Sequence, residues 1–268
     1  MKPTIKKLLV VTDLDATLLD DAYSWSAAEP ALARLKAKGY PLVLNSSKTV
    51  PEMKSLASEM GLQTPIIAEN GGLIAVPSAS GVASGDYAIR LTGLSREFIL
   101  EQAHRLRVQE NYEFTGFADW TAKQVAEKTG LSEVMAGHAQ TRYATEPILW
   151  EDSEARLIEF QAALAQSKIR ILRGGRFLHL MGPADKADGA ALALKFYQEA
   201  EPDVGWVVVA LGDSANDCAM LEAADIAVVI PHAGGTRIDP QAPRVVRAPY
   251  PSTKGWNASI LSILDEYC

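Results

Sequence analysis

Lys6-Lys7-Leu8-Leu9-Val10-Val11-Thr12-Asp13-Leu14-Asp15-Ala16-Thr17 is the stretch on which the fold turns. Four apolar residues and Thr12 lead into Asp13, and Asp15 and Thr17 follow at the period of two that puts strand side chains on one face. Two acids at the carboxyl end of a buried strand repel each other unless they share a cation, and magnesium is a hard ion that prefers oxygen ligands. A strand end followed by an acidic turn is the plainer alternative. A calcium loop of the EF-hand type is excluded, because counting from Asp13 places Leu18 where that loop needs Gly and Ser24 where it needs Glu.

A second acidic strand end decides between these readings. Trp206-Val207-Val208-Val209-Ala210-Leu211 reads as a fully buried parallel strand and runs into Gly212-Asp213-Ser214-Ala215-Asn216-Asp217, with a helix expected from Asn216 to Ala224. Asp213 and Asp217 then sit at a strand end and a helix start, where backbone donors favour negative charge.

The punctuation between these points predicts an α/β fold. Ser26-Ala27-Ala28-Glu29 and Thr49-Val50-Pro51-Glu52 are capping boxes, with Gly39 and Gly61 as stops. Strands are expected at Pro41 to Asn45 and Pro65 to Glu69. This is the rhythm of a doubly wound, Rossmann-like parallel sheet. The rhythm returns with a helix at Asp188 to Ala200, the Trp206 strand, Ile226 to Ile230 and Val245-Val246. Trp256, Ile260, Ile263, Leu264 and Tyr267 make the apolar stripe of a last helix, read as core. From about Gly85 to Gly182 shorter strands alternate with helices. The strands are expected at Tyr87 to Leu91, Tyr112 to Thr115, Pro147 to Trp150, Lys168 to Leu172 and Phe177 to Met181. The expected organisation is a discontinuous core, 1–84 and 183–268, with an inserted α+β unit at 85–182. Pro77-Ser78-Ala79-Ser80-Gly81 reads as the linker.

In these residues the chain resembles the haloacid dehalogenase superfamily of phosphatases. Asp13-Leu14-Asp15-Ala16-Thr17 is similar to its first motif, Ser46 after Pro41-Leu42-Val43-Leu44-Asn45 to its second, Lys186 to its third, and Gly212 to Asp217 to its fourth. The order and approximate spacing also agree. Ala16 departs from the usual Gly. The resemblance implies that Asp13 is the nucleophile and Asp15 the general acid and base. It also implies that Ser46 and Lys186 hold the phosphoryl oxygens, and that Asp13, Asp15, Asp213 and Asp217 form the magnesium site. The insertion would be a cap that selects the substrate.

A narrower resemblance, spread over nearly the whole chain, is to the mannosyl-3-phosphoglycerate phosphatases. It is carried by Ser46-Ser47-Lys48-Thr49, Ala68-Glu69-Asn70-Gly71-Gly72, Arg142-Tyr143, Glu146-Pro147 and Arg173-Gly174-Gly175-Arg176-Phe177. It implies hydrolysis of mannosyl-3-phosphoglycerate to mannosylglycerate and phosphate. Glucosyl-3-phosphoglycerate, sucrose-phosphate or broad sugar-phosphate hydrolysis, phosphotransfer between sugar hydroxyls, and a non-catalytic sensor are the alternatives. Gly174-Gly175 reads as a two-residue hairpin turn between Arg173 and Arg176, whose forked guanidinium groups suit carboxylate or phosphate. A solvated hairpin is the plainer reading. Lys48, Glu69, Asn70, Arg142, His179 and Asn216 complete the substrate-binding candidates. A structural histidine and a helix-entry turn explain His179 and Glu69-Asn70 nearly as well. The four histidines lack metal-ligand spacing, and Gly234-Gly235 lacks the context of a nucleotide loop.

Composition fits an ordinary globular enzyme. The 268 residues are 48% hydrophobic and 22% charged, and the net charge of −7 offers no basic excess for a nucleic-acid polymer. Cys218 and Cys268 make no disulfide framework, and the first apolar run stops at Val11, short for a signal peptide. The expected setting is therefore the reducing cytoplasm, away from membranes, with a small-molecule glycosyl phosphate as partner.

Overall fold

The computed structural model describes residues 5–78 and 87–267. In chain order the strands are β1 (Ile5–Thr12), β2 (Leu42–Asn45), β3 (Ile66–Ala68), β4 (Leu73–Pro77), β5 (Tyr87–Leu91), β6 (Phe114–Gly116), β7 (Thr145–Trp150), β8 (Arg170–Arg173), β9 (Leu178–Met181), β10 (Val204–Gly212), β11 (Ile226–Val229) and β12 (Val245–Arg247). The helices are α1 (Glu29–Lys38), α2 (Val50–Glu59), α3 (Arg96–Glu110), α4 (Ala122–Thr129), α5 (Glu133–Gln140), α6 (Glu154–Ala165), α7 (Lys186–Ala200), α8 (Cys218–Glu222) and α9 (Ser252–Glu266).

Eight strands form one sheet in the order β12-β11-β10-β1-β2-β3-β4-β5. The six from β12 to β3 are parallel, and β4 and β5 add an antiparallel edge. Strand alternation divides the core between two faces. Leu8, Val10, Leu42, Leu44, Val209 and Leu211 pack toward α1, α2 and α9, while Leu9, Val11, Val43, Val208 and Ala210 pack toward α7 and α8. Leu8 to Val11 are wholly buried. Each such side chain stabilises the fold by roughly 1.5–3 kcal/mol relative to exposure. This packing holds the central strand in place although charged groups are buried at its end.

The second sheet, β6-β7-β9-β8, is antiparallel. One face is covered by α3 and α6 through Ile99, Leu106, Leu157, Phe160, Leu178 and Leu180. The helices α2 to α6 start where a Ser or Thr side chain accepts an N–H of the first turn, at Thr49, Ser95, Thr121, Ser132 and Ser153.

Four expectations change. Ser26 does not cap α1: Ser26–Ala28 form a one-turn helix, and α1 starts at Glu29 with Pro30 in its first turn and no side-chain cap. The strand β4 is absent from the sequence reading. It folds back on β3 through the tight turn after Glu69. Tyr87–Leu91, expected in the insertion, is instead the edge strand of the large sheet, paired with β4. The linker residues 79–81 and the boundary at residue 84 lie outside the described residues, as does Cys268. Finally, the turn between β8 and β9 is not a Gly174-Gly175 turn. The N–H of Gly174 donates to Phe177 O at 3.0 Å, so Gly175 and Arg176 are at the tip, and neither glycine has positive φ.

Candidate active site

The carboxyl ends of β1, β2, β3, β10 and β11 meet at one edge of the sheet, where doubly wound folds bind their ligands. Asp13 follows β1 directly and is only 7% exposed. Its backbone is pinned on both sides. Its N–H donates to Leu211 O at 2.9 Å, and its carbonyl accepts the Thr12 hydroxyl at 2.8 Å. Thr12 Oγ1 in turn accepts the indole N–H of the buried Trp256 at 3.0 Å. The stripe of α9 is therefore core, as expected, but it also steadies the first acidic loop.

Lys186 begins α7 and is 1% exposed. Its Nζ lies 2.6 Å from Asp13 Oδ1 and 2.6 Å from Asp217 Oδ1. Two backbone arrangements place it. Asn45 Nδ2 donates to Lys186 O at 2.9 Å, and Gly71 lies so close that a Cβ there would sit 1.8 Å from Asp185 O. Gly71 also has φ +83, so no other residue fits this turn without strain. Burial acts against the Lys186 charge, but Asp13 and Asp217 outweigh it and hold the ammonium protonated.

Asp213 and Asp217 complete a carboxylate cluster with Asp13. Their ligand oxygens lie within 4.8 Å of one another. Asp217 Oδ2 accepts the N–H groups of Asp213 and Ser214 at 3.0 and 3.1 Å. Asp213 Oδ1 accepts Thr17 Oγ1 at 3.1 Å. Burial, with Asp217 and Asp213 nearby, raises the Asp13 pKa to about 8 although Lys186 opposes the shift. Asp213 is also raised, by burial first and Asp217 second. One lysine thus leaves negative charge uncompensated, and the oxygen donors suit a hard divalent cation. The residues fit the magnesium expected from the sequence.

Asp15 does not continue the strand. Ala16 has φ +57, and the turn sends the half-exposed Asp15 carboxylate to Lys48 Nζ at 3.0 Å, while Thr17 turns to Asp213. The Lys48 pKa is raised, because Asp15 outweighs the opposing effect of burial. Ser46 closes β2, is buried, and accepts the Lys48 N–H at 3.3 Å. Asn216 Nδ2 donates to Asn70 Oδ1 at 3.2 Å, which joins two further candidates beside the cluster.

Other candidates are placed differently. The buried Glu69 carboxylate accepts Tyr143 N, Ala144 N and Thr145 Oγ1 at 2.8, 3.0 and 2.7 Å, so it ties the core to the second sheet and is not free for a ligand. Arg142 donates to Thr145 Oγ1 at 2.8 Å and Ala139 O at 2.9 Å. His179 is next to Leu178 and Leu180 in β9, so it faces away from the helices that cover them. Burial and Arg142 lower its pKa to about 3, which keeps the imidazole neutral. Arg173 pairs in register with Leu178, on the helix-covered face, and its guanidinium is paired with Glu154. Arg176, Gly174 and Gly175 are exposed. Gly174 approaches the imidazole so closely that a Cβ would lie 2.9 Å from His179 Nε2. The structure therefore brings together Asp13, Lys186, Asp213, Asp217, Ser46 and the Asp15–Lys48 pair, and separates Arg173 from them. His232, which has no motif around it, reaches Asp213. Its one sequence signal is its place just after β11.

Comparison with known proteins gives the family. The signature of the haloacid dehalogenase-like hydrolases matches residues 10–120. The chain is 34% identical, over 97% of its length and 98% of the other's, to a glucosyl-3-phosphoglycerate/mannosyl-3-phosphoglycerate phosphatase of Persephonella marina. This chain belongs to the haloacid dehalogenase-like hydrolases and is an enzyme of their phosphatase branch. The fold is shared with a protein of Thermoplasma acidophilum (TM-score 0.65, 17% identity, 98% of each chain). It is also shared with a haloacid dehalogenase-like hydrolase of Bacteroides thetaiotaomicron (TM-score 0.65, 19% identity, 96% of this chain and 99% of the other). Among the described residues, no helix is long and apolar enough to cross a membrane.

Proposed function

We propose that the enzyme is a magnesium-dependent phosphatase of glycosyl-3-phosphoglycerates, with mannosyl-3-phosphoglycerate as first candidate. The observation that carries the reaction is the Asp13 carboxylate, fixed at the end of the central strand by Lys186 and flanked by Asp213 and Asp217. The 34% identical relative supports the substrate class.

Asp13 attacks phosphorus, and its new bond to phosphorus forms as the bond to the glycerate oxygen breaks. Asp15, half-exposed on its turn beside Lys48, gives its proton to the departing oxygen. It then takes a proton from the water that attacks the phosphoaspartate, which releases phosphate and restores Asp13. Lys186 and the Ser46 hydroxyl donate to the phosphoryl oxygens. Bound by Asp13, Asp213 and the Asp15 carbonyl, with Asp217 in support, magnesium would supply countercharge for the nucleophile and the phosphoryl group.

The segment from beyond Leu91 to Gly182 serves as the cap, with the sheet face opposite α3 and α6, which carries the buried His179, on the substrate side. Arg142 is the cation on this side suited to the glycerate carboxylate. A phosphate-release screen over mannosyl- and glucosyl-3-phosphoglycerate, sucrose phosphate and simple sugar phosphates tests the proposal. Preference for the glycosyl-3-phosphoglycerates is expected. Equal rates throughout would reject the substrate assignment but keep the chemistry, and phosphate found on a second sugar would indicate transfer.

A further inference from the structure

Of the four histidines, His232 alone contacts the carboxylate cluster. Its position is set by a closed turn. The N–H of His232 donates to Gly235 O and that of Gly235 to His232 O, each at 2.9 Å, leaving Ala233 and Gly234 at the tip. The chain enters this turn from β11 through Ile230, whose N–H donates to Gly212 O of β10 at 2.9 Å.

From this turn Nε2 reaches to 2.8 Å from Asp213 Oδ2. The contact lacks hydrogen-bond geometry: Nε2 is buried and has no hydrogen-bond partner. A nitrogen and an oxygen bound side by side to one metal ion have another relationship. Each bond is about 2.0–2.2 Å, so two that meet at a right angle leave their atoms roughly 3 Å apart with neither pointing at the other. The separation of Nε2 and Oδ2 matches the edge of such a coordination shell.

We propose that His232 is a nitrogen ligand of the ion held at Asp213, and that it shifts the site's preference away from magnesium toward first-row transition metals. Imidazole suits zinc, iron and nickel best, and even manganese, the weakest binder of that series, gains more from one imidazole than magnesium, which favours an all-oxygen shell. The proposal rests on the metal-dependent reading above and refines which ion that site takes.

Manganese is the probe, and its spectrum supplies a readout apart from turnover. Full-length protein is prepared with ordinary and with nitrogen-15 histidine, loaded with Mn2+, and studied by pulsed electron paramagnetic resonance. The expected result is a nitrogen hyperfine coupling that changes with the isotope and disappears in His232→Asn. The same variant should bind Mn2+ at least about tenfold more weakly, with a smaller loss for Mg2+ measured by competition. Bound Mn2+ without histidine coupling in the wild type overturns the ligand, and this comparison needs no variant to fold. Coupling that persists in His232→Asn, or equal losses for the two ions, also overturns it. If Mn2+ and Mg2+ both fail to bind the wild-type protein, the metal-dependent reading itself is overturned.

Discussion

Lys186 Nζ sits 2.6 Å from Asp13 Oδ1, joining residues 173 positions apart in sequence. The pair is incompletely balanced, because the same ammonium also serves Asp217. With its pKa raised to about 8, Asp13 keeps a proton in the folded metal-free protein that it has lost in the unfolded chain over the window from about pH 4 to 8. The folded state binds more protons there, so this group's contribution to stability declines as pH rises through that window. Cation binding must expel the proton. Titration calorimetry in buffers of different ionisation enthalpy should therefore detect proton release on Mg2+ binding near pH 7, with affinity rising toward pH 8. In Asp13→Asn the release should be largely lost, together with phosphatase activity, while the fold is retained. Binding without proton release would contradict the raised pKa of Asp13.

Ala16 occupies a left-handed turn that costs a residue with a Cβ about 1–2 kcal/mol. Ala16→Gly removes that cost but gives the unfolded chain more freedom, which offsets about 0.4–1 kcal/mol. A net stabilisation on the order of 0.5–1 kcal/mol is expected from urea denaturation. A destabilised variant would show that the turn is relaxed with alanine in place.

Glu69 is the buried acceptor for three donors of the Tyr143–Thr145 segment. Glu69→Ala leaves them without an acceptor, at about 1–3 kcal/mol for each buried group left unsatisfied. Chemical denaturation should show a loss of several kcal/mol, and Glu69→Gln a smaller one. Wild-type stability in the alanine variant would refute this role.

Arg142 and Arg173 separate the two possible sources of specificity. Losing a charge-assisted hydrogen bond to the glycerate carboxylate costs about 1.5–3 kcal/mol, roughly ten- to hundredfold in kcat/KM. Arg142→Ala should show that loss on mannosyl-3-phosphoglycerate and little change on a nitrophenyl phosphate. Arg173→Ala should leave both nearly unchanged, since its guanidinium pairs with Glu154. The opposite pattern would move substrate recognition to the hairpin.

What could be read from the chain before folding depended on range. Asp13 and Asp213 each end an apolar strand, so local sequence identified them, whereas Lys186, two residues before the expected helix start at Asp188, was singled out by the family resemblance. The direction of Asp15 was not legible, because it depends on Ala16 taking a left-handed conformation unusual for alanine. Arg173 was misleading for a related reason. Its sequence shows a basic residue beside two glycines, but its face is set by pairing with Leu178, a contact between strands. Glu69 and His232 depend on partners 74 or more and 19 residues away, respectively, and neither residue type implies its partner. The antiparallel edge β4–β5 was hidden because only one tight helical turn, Glu69–Gly71, separates Leu73–Pro77 from β3.

The two chain crossings into the second sheet run side by side. A Cβ on Gly93 would lie 3.4 Å from Ala184 Cβ, and one on Gly182 3.0 Å from Leu94 N. The second unit is thus attached like a cassette, through paired stems, and can in principle be exchanged for another or replaced by a short loop without rethreading the large sheet. Glu69 sets the condition for such a graft. Any replacement must bring its own donors to that carboxylate, or the recipient core must change Glu69 as well.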